Sequence, residues 1–131
     1  MSSSILVTGG TGTLGRLVVP LLQDAGGKVR VLSRRSREAA EGIEFVSGDL
    51  ATGEGIEAAV EGAEIIVHCA GSSKGDEEKA AAVYRGVDAI QPEEIADCIL
   101  FALTRPWHVN VDEIVVKARD QSSGGRILRG A

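Results

Sequence analysis

Aromatic residues are scarce: one tryptophan, one tyrosine and two phenylalanines in 131 residues. That excludes the stacking platforms on which single-stranded nucleic acids are held. Positive charge is also in the minority, with 14 Lys and Arg against 19 Asp and Glu and a net charge of −5. No basic stripe is available for a phosphate backbone, so no nucleic-acid partner is expected. The two cysteines, Cys69 and Cys98, stand in apolar runs rather than at framework spacing. A disulfide scaffold is excluded and a reducing compartment fits. No apolar run approaches the ~20 residues of a membrane span. Met1-Ser2-Ser3-Ser4 leads into a strand pattern without a signal peptide. A cytoplasmic chain that makes no use of a membrane is expected. Glycine, by contrast, is plentiful at 17 residues, and 44% of the chain is hydrophobic. A chain of this length predicts one domain, residues 1–131, able to remove roughly two-thirds of its surface from water.

Ile5-Leu6-Val7 is a continuous apolar run ending at a glycine cluster, the pattern of a buried parallel strand. Apolar residues at 14, 17, 18, 21, 22 and 25 then mark one helix face, interrupted by Pro20 and closed by Gly26-Gly27. Strands follow at 29–32, 43–46 and 63–70, with a short helix at 56–60 before the last of these. Beyond Gly71 the texture turns polar, and residues 76–83 predict a short helix. Pro92 opens a strong helix, with Glu93 and Glu94 in its first turn and apolar residues at 95, 96, 99, 100 and 103. Asp112 to Ala118 reads as a fifth strand, and 121–131 as an irregular tail. Alternating strands and helices predict a Rossmann-like, doubly wound three-layer α/β sandwich. Its five parallel strands are expected in the order 3-2-1-4-5. Residues 1–79 would form the nucleotide half, and 80–120 the closing helix and strand.

The chemistry lies in Thr8-Gly9-Gly10-Thr11-Gly12-Thr13-Leu14-Gly15, between the first strand and the first helix. One glycine permits the tight turn, and the middle one lets the backbone approach a pyrophosphate. The last lets the helix pack on the sheet with its N–H groups toward the phosphate charge. A lone Gly-x-Gly-x-x-Gly is weak, but the strand before it and the helix after it are the context that gives it meaning. Roughly 20 residues on, an acidic side chain would meet a free ribose 2′-hydroxyl. Ser33-Arg34-Arg35 stand there instead. Guanidinium groups suit a 2′-phosphate, so NADP is the expected cofactor and NAD the second choice. His68, Cys69, Cys98 and His108 lack metal-site spacing. Both cysteines read as small core residues, and Trp107 and Phe101 as core contacts rather than an exposed patch.

ILVTGGTGTLG, VLSRR, the GDL at 48–50 and the HCAG at 68–71 resemble the N-terminal half of the short-chain dehydrogenase/reductase superfamily, in its extended or atypical branch. The resemblance covers about residues 4–79. It implies Asp49 on the adenine amino group, Leu50 beside the ring, and Ala70 and Gly71 against the adenosine ribose. On the residues alone, Asp49 also reads as a turn residue and Gly71 as a strand terminator. VYRGVDAIQPEEIADCILFALTRPWHVNVDEIVVKARDQ is similar to the C-terminal end of a different branch, which acts on 3-hydroxy acids and serine-like substrates. There such elements help build subunit interfaces, which implies a homodimer through the C-terminal helix and strand. The two pieces meet near Gly75–Lys79, as in a chimera.

The superfamily's chemistry uses a tyrosine, a lysine four residues later and a serine. Tyr84 is the only tyrosine, and Asp88 stands four residues on. A carboxylate there would raise the phenol pKa, so no catalytic residue is assigned. Ser72 and Ser73 follow the fourth strand, where a ligand phosphate or ribose suits them better than a substrate carbonyl. Three functions compete: an NADP(H)-binding domain without turnover, an NADP-dependent oxidoreductase acting as a homo-oligomer, and a recombined or engineered minimal fold without a ligand site.

Overall fold

The computed structural model describes residues 1–35, 37–71, 85–86, 88–119, 121–123 and 126–127. The expected helix at 76–83, the junction near 75–79, Tyr84, Ser72 and Ser73 lie outside the described residues.

Four strands, β1 (Ser4–Thr8), β2 (Lys28–Ser33), β3 (Glu44–Ser47) and β4 (Ile65–His68), form one parallel sheet in the order β3-β2-β1-β4. β1 is central: Val7 pairs with Val31 on one side and Val67 on the other, while Thr8 pairs with His68. Two-residue alternation sends Ile5, Val7, Val29, Val31 and Val67 to one face, where α1 (Gly15–Asp24) contributes Val18, Val19 and Leu22. α3 (Pro92–Leu103) packs beside α1 on that face, through buried Ala96 and half-buried Ile99, Leu100 and Leu103. Leu6 and Leu32 point to the opposite face, under the short helix α2 (Ile56–Val60) and its Ala59. Helices therefore lie on both faces of a parallel sheet.

Local chemistry explains the helix ends. α1 runs through Pro20, whose ring has no N–H to give to the Arg16 carbonyl. It closes as a Schellman motif: Gly27 N–H donates to Leu22 O and Gly26 N–H to Gln23 O, with Gly26 at φ +92°. α3 starts with Pro92 in its first turn, and the Glu94 carboxylate accepts the Gln91 N–H at 2.7 Å. Arg30, on β2, ties the second face together by donating to Ala59 O at 3.0 Å and Glu61 O at 2.7 Å.

The expected fifth strand is not formed. Residues 112–118 belong to no ladder, the sheet has four strands rather than five, and β4 lies at its edge with Ile66 56% exposed. Ile114 and Val116 instead border an open groove along α3 and stay 42% and 40% exposed, while water can satisfy the exposed backbone. The turn before this segment therefore stays outside the core. Trp107 is 96% exposed and Phe101 49%, which overturns the expectation of core contacts. Trp107 meets His108 edge-on at 5.9 Å, and the Arg105 guanidinium lies 3.9 Å over the Phe101 ring. Within the tail, β5 (Gln121–Ser123) and β6 (Arg126–Ile127) pair as a small antiparallel hairpin where no regular structure was expected. No helix among the described residues is long and apolar enough to cross a membrane.

Candidate cofactor-binding site

Strand order reverses at β1, because β2 and β3 lie on one side of it and β4 on the other. In a parallel sheet this switch point leaves a crevice beyond the carboxyl ends of β1 and β4. The glycine loop crosses that crevice, since it links the end of β1 to the start of α1. Gly9 has φ +69°, and a side chain there would put its Cβ 2.6 Å from the Ala70 nitrogen. At Gly10 a Cβ would meet a Val31 methyl at 2.7 Å, and at Gly15 it would run into the Gly9 carbonyl. Three glycines thus pull the loop down onto β4, β2 and itself. Gly12 differs. It donates its N–H to Gly9 O at 3.0 Å, and its missing side chain leaves an exposed position with that same carbonyl as the one close neighbour. This is the open point over which a phosphate can approach the backbone.

α1 begins immediately behind it. Arg16 N–H already donates to Gly12 O and Val18 N–H to Leu14 O, whereas the N–H groups of Thr13 and Leu14 meet no acceptor among the described residues. Such orphan donors, with the positive end of the helix dipole, suit an anion. Thr11 and Thr13 are exposed beside them.

The other predicted residues follow the carboxyl ends of neighbouring strands. Ser33 closes β2 at 9% exposure, its Oγ accepting the Arg35 N–H at 3.3 Å, and Arg34 and Arg35 project into solvent. Beyond β3, half-buried Asp49 organises a turn. Its Oδ1 accepts the Ala51 N–H at 2.8 Å, and its backbone accepts from Gly53 and donates to Glu54. One carboxylate oxygen is therefore committed locally. Leu50 is 48% exposed. Ala70 lies under Gly9, and a Cβ at Gly71 would meet nothing within 4 Å among the described residues.

Sequence reasoning missed the tie beneath the loop. Thr8, 4% exposed, places Oγ1 2.6 Å from His68 Nδ1, while the Cys69 N–H donates to Thr8 O at 3.0 Å. The signal was available: Thr8 and His68 each follow a three-residue apolar strand run, so parallel pairing sets them side by side. Burial pushes the Cys69 thiol pKa above its usual range, which favours the protonated form. Among the described residues no group of three or more His, Cys, Asp or Glu side chains could hold a metal.

Residues 5–102 match the NAD dependent epimerase/dehydratase family. The chain belongs to that family. As a member it is an NAD(P)-binding, oxidoreductase-type domain of the short-chain dehydrogenase/reductase kind, with a nicotinamide dinucleotide as its cofactor. This epimerase/dehydratase-family chain is 46% identical over 52 residues to an uncharacterized oxidoreductase of Mycobacterium tuberculosis. It is 36% identical over 52 residues to an NADP-dependent 3-hydroxy acid dehydrogenase of Salmonella typhi. Either match takes in 40% of this chain and 21% of the relative. Uronate dehydrogenase from Agrobacterium tumefaciens superposes with a TM-score of 0.49 at 32% identity, over 58% of this chain and 29% of that one.

Proposed function

We propose that the chain is an NADP(H)-binding domain that carries out no dehydrogenase turnover by itself. The observation that carries this reading is the pair Arg34 and Arg35, exposed at the end of β2 in place of an acidic residue, beside a glycine loop drawn tightly onto β4. In this reading the Thr13 and Leu14 N–H groups and the open Gly12 receive the pyrophosphate. Arg34 and Arg35 hold the 2′-phosphate with paired, charge-assisted bonds. The uncommitted Asp49 oxygen takes the adenine amino group, Leu50 covers the ring, and Ala70 and Gly71 border the ribose. The nicotinamide, when bound, supplies hydride chemistry. The chain's own part is binding and orientation, because the sole tyrosine, Tyr84, has Asp88 rather than lysine four residues on. A second copy of the chain is the partner we propose beside the dinucleotide.

Calorimetric titration with NADPH and NADH tests the assignment. Replacing Arg34 and Arg35 together by alanine should weaken NADPH by more than ~10-fold and leave NADH nearly unchanged, since each charge-assisted bond contributes about 1.5–3 kcal/mol. Equal losses for both nucleotides would overturn the 2′-phosphate role. Absence of binding by the unaltered chain would overturn the proposed function itself.

A further inference from the structure

Arg16 stands where a cation opposes its own helix. It is the second residue of α1 and the only charged one in the first turn, where the free N–H groups already present positive charge. A positive side chain there works against the helix dipole unless an anion binds beside it. No carboxylate of the protein answers it, for the only ion pair among the described residues joins Arg30 to Glu44.

The side chain turns toward the glycine loop. Helical Cβ atoms tilt toward the N-terminus, so a side chain in the first turn covers the backbone before it. Arg16 accordingly folds back over Gly12, whose carbonyl accepts both the Arg16 backbone N–H at 3.0 Å and its Nε–H at 3.4 Å. The residue is exposed, and its Nη1 and Nη2 meet no acceptor among the described residues. Gly12 is the same open point at which a phosphate can approach the backbone. We propose that Arg16 is a further dinucleotide-binding residue, pairing its terminal N–H groups with the cofactor's pyrophosphate. A guanidinium offers two parallel donors that match two phosphate oxygens. The inference rests on the reading that the glycine loop receives the pyrophosphate; the dinucleotide itself follows from the family match and not from the helix end. Because the pyrophosphate is common to both nucleotides, Arg16 serves NADPH and NADH alike, whereas Arg34 and Arg35 decide between them.

Calorimetric titration of Arg16→Gln with NADPH and with NADH tests the role. Both affinities should fall at least ~10-fold and by the same factor, through loss of the charged donors. The double alanine replacement at Arg34 and Arg35 gives the opposite signature, a loss confined to NADPH. Arg16→Lys should recover part of the loss for both nucleotides, because the ammonium keeps the charge and gives up the paired geometry. Stability should move the other way. Without nucleotide, Arg16→Glu should melt at or above the temperature of the unaltered chain, since an acid in the first turn suits the dipole. It should nevertheless bind both nucleotides more weakly than Arg16→Gln does. Unchanged affinities in Arg16→Gln, a loss for NADPH alone, or a drop in melting temperature that accompanies the weaker binding would each overturn the role of Arg16 and leave the nucleotide site standing. An unaltered chain that binds neither nucleotide would overturn the proposed function, and this inference with it.

Discussion

Ile5-Leu6-Val7 and Ile114-Val115-Val116 are nearly interchangeable as sequence. The first three side chains are 1%, 2% and 0% exposed; the second three are 42%, 66% and 40%. Both runs are apolar and suited to extended backbone. Their neighbours differ. β1 has β2 and β4 on its two sides, α1 and α3 on one face and α2 on the other, so each residue it adds to the sheet loses water on every side. The later run borders an open groove along one helix and has no strand paired with it among the described residues. A strand is a property of the edge that receives it as much as of the residues that compose it.

The contrast is most directly broken by equal truncations in the two runs. Ile5→Ala should cost about 3 kcal/mol by urea unfolding, because it opens a cavity in a fully enclosed core. Ile114→Ala should cost about 0.5 kcal/mol or less in the monomer. Similar costs would mean that the C-terminal run is part of the same cooperative core after all.

Within the nucleotide half, a methyl group separates two roles of glycine. Gly15→Ala drives a Cβ into the Gly9 carbonyl, and the obstacle is backbone, which cannot swing aside. A loss of about 2 kcal/mol is expected, with NADPH affinity falling as the loop lifts from β4. Gly71→Ala meets nothing within 4 Å among the described residues and should leave thermal stability almost unchanged. If calorimetry found Gly71→Ala equally damaging to binding, ligand contact rather than packing would explain that glycine.

Arg30 offers a finer cut. Arg30→Met removes two bonds to the carbonyls that end α2 and should cost about 1–2 kcal/mol in chemical denaturation. Its ion pair with Glu44, 3.3 Å long and largely solvated on the glutamate side, adds little, so Glu44→Gln should change stability by under about 0.5 kcal/mol. The reverse ranking would make the surface charge, not the helix anchor, the source of stability on that face.

The smallest expected effect is a gain. Glu41 sits at φ +52° in the tight turn before β3, and its carbonyl accepts from Gln23 Nε2 at 2.9 Å. Glu41→Gly keeps that bond and relieves the left-handed backbone, for a gain of about 0.5–1 kcal/mol in thermal unfolding. A loss would show that the side chain, not the backbone, holds the turn.

Much of the nucleotide half was legible because its signals are local. The glycine cluster, the run before it and the helical spacing after it lie within some twenty residues, and each is demanded by backbone sterics at a known point. Ser33, Arg34 and Arg35 could be placed by counting, since a βαβ unit has a nearly fixed length. The ends of β2, β3 and β4 shifted by one to a few residues, where pairing rather than propensity sets the boundary. The Thr8–His68 tie was not read, although both residues were in plain view, because its partners are sixty positions apart and meet only through parallel register. Asp49 was read as either adenine contact or turn residue. The Ala51 N–H on its Oδ1 shows that the turn is real and leaves one oxygen for a ligand.

By itself, the sequence determined the order of the first four strands and their helices, the glycine turn and the basic residues after β2, since each follows from what a short stretch of backbone can and cannot do. Only the tertiary structure decided where the sheet stops. Residues 112–118 have the composition of a strand, but they lie along the groove beside α3 and not on β4, and that choice depends on the relative energy of two distant surfaces. Ile114 and Val116 border an open groove along α3, the sheet ends at β4, and Trp107 is left in water. Hydrophobic burial is non-directional, so a pattern of apolar residues states that a face will be covered without stating by what.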